Sequence, residues 1–412
     1  MREMKDSGVE WIGEIPVDWK LNKIKHHFSI SSGTTPKSDE PEYWDGDIVW
    51  ITPADFKTDD VYVSDGHRNL SQEGYRVSSL QLVPAGSIIF SKRAPIGQVV
   101  INAIDLCTNQ GCLTAVLNDD SDVRFYRYVM SIATEEFELA GSGTTFKEIS
   151  ATSFGNILLP LTSKQEQTKC ADYLDVKSSK IDEIIEKQQA IIEKLKEYKL
   201  SIITEAVTSG INPDVEMKDS GSVWFGSIPI NWQMKRLKYV FHIQKDIAGE
   251  EGHTVLSITQ RGIIPKDFSN NEGQFANSYA NYQLVHKGDF AMNHMDLLTG
   301  WVDISKYEGV TSPDYRVFVL NDKNGMCPEY YLYMMQMCYS ARIFYGLGQG
   351  VSGMGRWRLQ ADKFLNFYIP IPPYDEQKKI ADYITDKVNH IEVEIDKRNK
   401  LIEKYQEYKK SL

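Results

Sequence analysis

No apolar run in this 412-residue sequence approaches the roughly 18 residues that a membrane span requires. No apolar stretch follows the charged opening Met1-Arg2-Glu3-Met4-Lys5-Asp6 either, so neither a membrane segment nor a secretory leader is expected, and a cytoplasmic location is. Cysteine is scarce. Cys107, Cys112, Cys170, Cys327 and Cys338 form no CxxC pair and have no histidine at zinc-finger spacing, which argues against a disulfide framework or a structural metal. Positive charge is also lacking: the net charge is −11, with 22 basic against 32 acidic side chains in residues 1–210 and 24 against 25 in the rest. Composition alone therefore favours an acidic protein that avoids nucleic acid. Only a local basic face, or phosphate contacts supplied by a partner, would overturn that reading.

Catalytic motifs are missing as well. Gly348-Gln349-Gly350-Val351-Ser352-Gly353 fits GxGxxG, but it follows a helical segment and runs into Arg356-Trp357-Arg358, whereas a dinucleotide fingerprint needs a strand before it and a helix within it. Gly141–Lys147 lacks the GK[ST] ending of a phosphate loop. Neither Ser312-Pro313-Asp314-Tyr315 nor Ile371-Pro372-Pro373-Tyr374 supplies the [DN]PP[YF] element with which an aminomethyltransferase holds a flipped base. The eight histidines form no HExxH and no triad spacing. No catalytic residue, cofactor site or metal site is expected in this chain.

What is present is a duplication. MKDSGVEWIGEIPVDW (residues 4–19) returns as MKDSGSVWFGSIPINW (217–232), so that Trp11, Gly13, Ile15, Pro16 and Trp19 fall on Trp224, Gly226, Ile228, Pro229 and Trp232. Pro160, Glu166, Gln167, Ala171, Asp172 and Tyr173 return as Pro370, Glu376, Gln377, Ala381, Asp382 and Tyr383. The ends of the two units match while their interiors diverge. That is the pattern of a shared frame carrying two different recognition surfaces. A chain of this length also suits two cores rather than one.

Each unit reads as short Ile- and Val-rich strands broken by Gly, Pro and Asp, then a helix (Val123–Leu139; Glu329–Phe344), then a long helix. From Ser163 to about Val207 there is no glycine or proline, and Ile181, Ile184, Gln188, Ile191, Leu195, Tyr198 and Ile202 step by threes and fours as a heptad seam. About 45 helical residues make a rod of roughly 65–70 Å. Ile391, Leu401, Tyr405 and Tyr408 repeat the seam, with Glu394 and Arg398 interrupting it. The expected fold is α+β: two globular domains with small mixed β-sheets, joined and separated by two long helices that pair as an antiparallel coiled coil, in a pseudo-two-fold repeat. The expected boundaries are 1–161, 162–209 (first long helix), 210–372 and 373–412 (second long helix). Homodimerisation through the same seams is the alternative.

These motifs resemble the specificity subunit of Type I restriction–modification enzymes, over essentially the whole chain. The paired WIGEIPVDW and WFGSIPINW openings and the LPLTSKQEQ and IPIPPYDEQ helix entries carry the likeness, with Ser32–Phe56, Ser91–Ile101 and Met292–Phe318 resembling target-recognition domains. Thr162-Ser163 stands where the family usually has Pro-Pro. The resemblance implies a non-catalytic subunit in which each recognition domain reads half of a split, asymmetric double-stranded DNA site and the helix pair sets the unread spacer. It also implies two methyltransferase subunits and further restriction–translocase subunits as partners. Those partners would bring S-adenosylmethionine, ATP and Mg2+, with no membrane involved. A coiled-coil adaptor with two protein-binding modules is the competing reading, and a methyltransferase with a built-in recognition domain is disfavoured by the missing base-holding element.

Base reading needs fixed donor–acceptor forks on loops that reach a groove. In the first domain this singles out Lys37, Lys92, Arg93, Asn109, Gln110 and the loop Thr144-Thr145-Phe146-Lys147; in the second, Arg261, Asn293, His294, Gln349, Arg356 and Arg358. The Arg356-Trp357-Arg358 cluster in a glycine-rich loop is the best single case. Arg316 is less favoured, because Asp314 beside it can hold it in place.

Overall fold

The structure, a computed structural model, describes residues 2–57, 61–93, 95–143, 147–268, 276–350 and 357–412. Packing divides the chain into two compact units, Met1–Asp182 with Leu412, and Glu183–Ser411. The division falls inside the first long helix rather than beside it.

Both units open alike. Met4–Asp6 pairs with Glu14–Pro16, and Met217–Asp219 with Ser227–Pro229, in the same antiparallel register. Lys5 Nζ donates to the Val17 carbonyl and Lys218 Nζ to that of Ile230. The duplicated MKD and IP motifs therefore encode a hairpin clipped by a lysine.

Each unit then builds the same four-strand core. In the first, the order is Phe28–Ser32, Cys112–Leu117, Ile88–Ser91, Val99–Asn102, with Tyr62–Val63 added in parallel at the edge. In the second it is Phe241–Gln244, Arg316–Leu320, Phe290–Met292, Val302–Ile304. Burial on both faces explains why Ile88–Ser91 and Val99–Asn102 read as continuous rather than alternating apolar runs. What surrounds the core differs. The first unit adds a mixed three-stranded sheet of Cys107–Thr108, Trp44–Ile51 and Arg68–Leu70, with Trp44 and Trp50 edge to face. The second has the pairs Leu256–Thr259 with Gly262–Pro265 and Gln283–Val285 with Gly309–Thr311.

The matched Glu-Gln pairs have a structural cause. Gln167 and Gln377 are both buried. Gln167 Oε1 accepts the Asp122 N–H and its Nε2 donates to the Thr162 carbonyl, at 2.9 and 3.0 Å. Gln377 does the same for Cys327 N–H and the Pro372 carbonyl, at 3.0 and 2.9 Å. Asp122 and Cys327 are the N-caps of the module helices Val123–Ile132 and Pro328–Ser340. One side chain thus satisfies an orphan helix-terminal donor and locks the start of a long helix onto its sheet module. Arg124 reinforces the first joint with ion pairs to Asp172 and Asp175.

The long helices run Lys164–Ser209 and Tyr374–Lys410. The first ends where Gly210 takes a φ of +81°, a conformation that costs glycine nothing. Within the second unit, the stretch from Glu183 onward packs antiparallel on Tyr374–Lys410: Arg398 donates to Gln188 and Lys199 pairs with Glu392. Ile192, Ile202, Ile391, Ile395 and Ile402 are the buried layer, with Ile185 and Leu195 packed against them. This corrects half of the expected seam. Ile202, Leu195 and Ile391 lie at or beside the layer, Ile181 is buried and Tyr405 is half-buried, but Ile192 and Ile402 stand where Ile191 and Leu401 were expected. Tyr198 is 58% exposed, Tyr408 48% and Leu401 38%. Ile184 and Ile191 are half-buried. The heptad was right and the step within it was not. A three-four pattern and a four-three pattern share every seventh residue, and the sequence places isoleucines at both alternatives (Ile184-Ile185, Ile191-Ile192). The same shift occurs in both helices, so the duplication extends to the seam itself.

No described helix is long and apolar enough to cross a membrane.

Candidate nucleic-acid interface

The candidate readers of the first unit gather from three loops. Lys92 N–H donates to the Gly111 carbonyl, and Thr34 N–H to that of Thr108. Thr35 Oγ1 is hydrogen-bonded to Gln110. The loops can meet because Gly33 has no side chain: a Cβ there would lie 2.0 Å from the Thr108 carbonyl oxygen. Gln110, Lys37 and Lys147 are exposed. Asn109 is spoken for, its Oδ1 accepting the Gly111 N–H. Lys92 and Arg93 are not free forks either. Both pair with Glu148, at 2.9 and 2.8 Å, and hold its carboxyl below the usual range. Fifty-five residues separate Arg93 from Glu148, so local spacing gave no hint of the pairing. Thr144 and Thr145 lie outside the described residues.

In the second unit, Arg261 is exposed on the tight turn Thr259–Gly262 that joins two strands. Asn293 is an architectural residue: its Oδ1 accepts the Met295 and Asp296 N–H groups, and its carbonyl accepts the Tyr339 hydroxyl at 2.6 Å. Gln349 is exposed and accepts from Gln360 at 2.9 Å. Gln349–Gly350 pairs with Trp357–Arg358, which presents Arg358 to solvent. Arg356 lies outside the described residues. Trp357 stacks on Tyr345, with ring centroids 5.2 Å apart, and donates to its carbonyl. A Cβ at Gly348 or Gly350 would come within 2.5 Å of the Trp357 ring. Gly348 and Gly350 of this GxGxxG-like stretch therefore make room for an indole, not a pyrophosphate.

Two residues depart from expectation. His294 is 5% exposed, and its Nδ1 is buried without a hydrogen-bond partner. Burial, with Arg316, Arg358 and Lys245 nearby, pushes its pKa down to about 3, so the ring is neutral at physiological pH. Arg316 is equally buried and is not held by Asp314. It donates to the Leu359 carbonyl at 2.8 Å, stands 5.0 Å from the Phe364 ring, and has no carboxylate within ion-pair distance among the described residues. Its burial follows from its place in the central strand, where every residue of Arg316–Leu320 is buried. An arginine in an otherwise apolar strand was the available signal.

The architecture is that of a duplicated recognition protein: one frame twice, with loops of different chemistry. The chain belongs to the family described as Type I restriction modification DNA specificity domain, whose sequence model matches residues 16–198 and 229–404. It is a Type I restriction–modification specificity subunit by family. Two similar proteins come from Methanocaldococcus jannaschii. The Type I restriction enzyme MjaIX specificity subunit is 36% identical over 190 residues, covering 45% of this chain and 43% of that one. The MjaVIII specificity subunit is 22% identical over 401 residues, covering 92% and 88%. The chain thus spans less than half of the first relative's length and most of the second's. Among solved structures, a chain from work on complex assembly and conformational transition of the type I R-M system superposes with a TM-score of 0.70 at 12% identity, covering 96% of this chain and 97% of that one. The HsdS subunit from Thermoanaerobacter tengcongensis gives 0.55 at 13% identity, covering 96% of each. At such identities these likenesses speak for the fold.

Proposed function

We propose that this chain is the non-catalytic, sequence-reading subunit of a cytoplasmic Type I restriction–modification complex. Each sheet module reads one half of a bipartite, asymmetric site in double-stranded DNA, and the paired helices set the unread gap. The supporting observation is the contrast within the duplication. The hairpin clip and the helix-locking glutamine recur in both units, and the two long helices share one seam spacing, whereas the strands and loops around the four-strand core do not recur. Identical readers would favour a symmetric site, while different readers on identical mounts favour an asymmetric one.

Exposed Lys37, Gln110 and Lys147 in the first module, and Arg261, Gln349 and Arg358 in the second, are the side chains best placed to reach DNA; Lys92 and Arg93 would act with Glu148 as a preorganised unit. The matched frame would dock two methyltransferase subunits and, through them, restriction–translocase subunits. Those partners would supply S-adenosylmethionine, ATP and Mg2+, and enough cationic surface to offset the chain's own −11 charge. Deleting one matched heptad from each long helix tests the ruler: the assembled complex should modify the same two half-sites with a changed gap. Altered half-site bases at an unchanged gap would refute it.

A further inference from the structure

The duplication supplies an internal control for one pocket of the second unit. Strand register equates the two cores: Phe28 faces Leu117 as Phe241 faces Leu320, and Phe90 faces Leu113 as Met292 faces Arg316. Leu113 is thus the counterpart of Arg316. Beyond the strands, the Ile149 N–H donates to the Lys92 carbonyl at 3.1 Å and the Leu359 N–H to the His294 carbonyl at 3.0 Å, which equates Lys92 with His294 and Glu148 with Arg358. At this place the first unit holds a leucine and a closed Lys92–Glu148 ion pair. The second holds Arg316, His294 and Arg358.

There these residues line a pocket of about 660 Å³ together with Lys245, Gln283 and Gln360. One carboxylate, that of Asp362, also lines it, but among the described residues none forms an ion pair with Lys245, Arg316 or Arg358. A buried guanidinium without a counter-charge is costly, and so is the unpartnered Nδ1 of His294. Burial lowers the Arg316 pKa to about 10, which leaves it charged at neutral pH. Three cations, and a neutral imidazole able to donate from Nδ1, converge on an open pocket with one carboxylate to offset them. The uncompensated charge calls for a full anion rather than a neutral base edge.

We propose that this pocket seats a DNA backbone phosphate of the second half-site, which makes Lys245, Arg316 and Arg358 register-fixing residues and leaves base reading to the surrounding loops. This rests on the DNA-reading role proposed above. Among the described residues the first unit, with its ion pair already closed, has no equivalent seat.

The test uses the full chain alone and in its assembled complex. Inorganic phosphate, titrated by calorimetry, should bind the free chain and lose that binding in Lys245→Ala and Arg358→Ala, both outside the sheet core. In the complex, either substitution should reduce the dependence of log binding constant on log salt by ~0.9, as expected for one lost phosphate contact. The methylated sequence should stay the same. Arg316→Met should act likewise if its thermal melt shows it folded, and Arg316→Lys should restore part of the slope. An unchanged slope, or a changed base in the second half-site, would overturn the phosphate seat. If wild type takes up inorganic phosphate yet the complex fails to bind duplex, the DNA-reading role fails and the anion site stands.

Discussion

Single side chains in this protein separate into those that hold the frame and those left over for recognition. Gln167 and Gln377 belong to the frame. Replacing Gln377 with Leu strands the Cys327 N–H in an apolar setting and should cost about 1–3 kcal/mol, read as a shift in urea midpoint at constant m-value. Gln167→Leu should cost a similar amount through Asp122. His294 makes a pH prediction of definite sign. Its folded pKa lies near 3 and an unfolded histidine titrates near 6.5, so between those values the unfolded chain binds the extra proton. Stability should therefore fall as pH drops below about 6.5, by about 2 kcal/mol from this group at pH 5. His294→Gln should flatten that part of the stability profile; an identical profile would show that the ring protonates freely in the folded state. The sequence marked His294 as a candidate DNA contact without showing that its ring is buried. Neither its burial nor the Lys92–Glu148 pairing is local information, because both depend on strands and loops brought together by the fold.

At the scale of elements, the helices were legible and their contact register was not. A glycine- and proline-free run with heptad spacing leaves little choice of secondary structure, and Lys164–Ser209 falls close to the run. Which isoleucine of an Ile-Ile pair faces inward depends on the partner helix, which no local pattern contains. The register gives a discriminating mutational test. Ile192→Ala and Ile402→Ala should each destabilise by about 2–5 kcal/mol, whereas Tyr198→Ala and Leu401→Ala should stay near 0.5 kcal/mol in the same denaturation assay. Larger losses at Tyr198 and Leu401 than at Ile192 and Ile402 would mean that the expected three-four seam is the true one. The strands were less legible because several are only two or three residues long and are held by pairing rather than propensity, as in Tyr62–Val63 and Cys107–Thr108.

At the scale of the whole chain, duplication followed by divergence accounts for a molecule that keeps two mounts alike and makes two faces different. It also reconciles an acidic composition with the proposed DNA-reading role. The cationic groups are outnumbered but placed, as Lys245, Arg316 and Arg358 are in a pocket whose first-unit counterpart is a closed ion pair. The most direct test of this account is to map every base methylated by the assembled complex on DNA of mixed sequence. The account predicts one asymmetric site of two short specified blocks separated by an unspecified gap, in which exchanging residues 210–372 for the corresponding segment of another specificity subunit changes one block alone. A continuous site, a palindromic one, or a change in both blocks would contradict it.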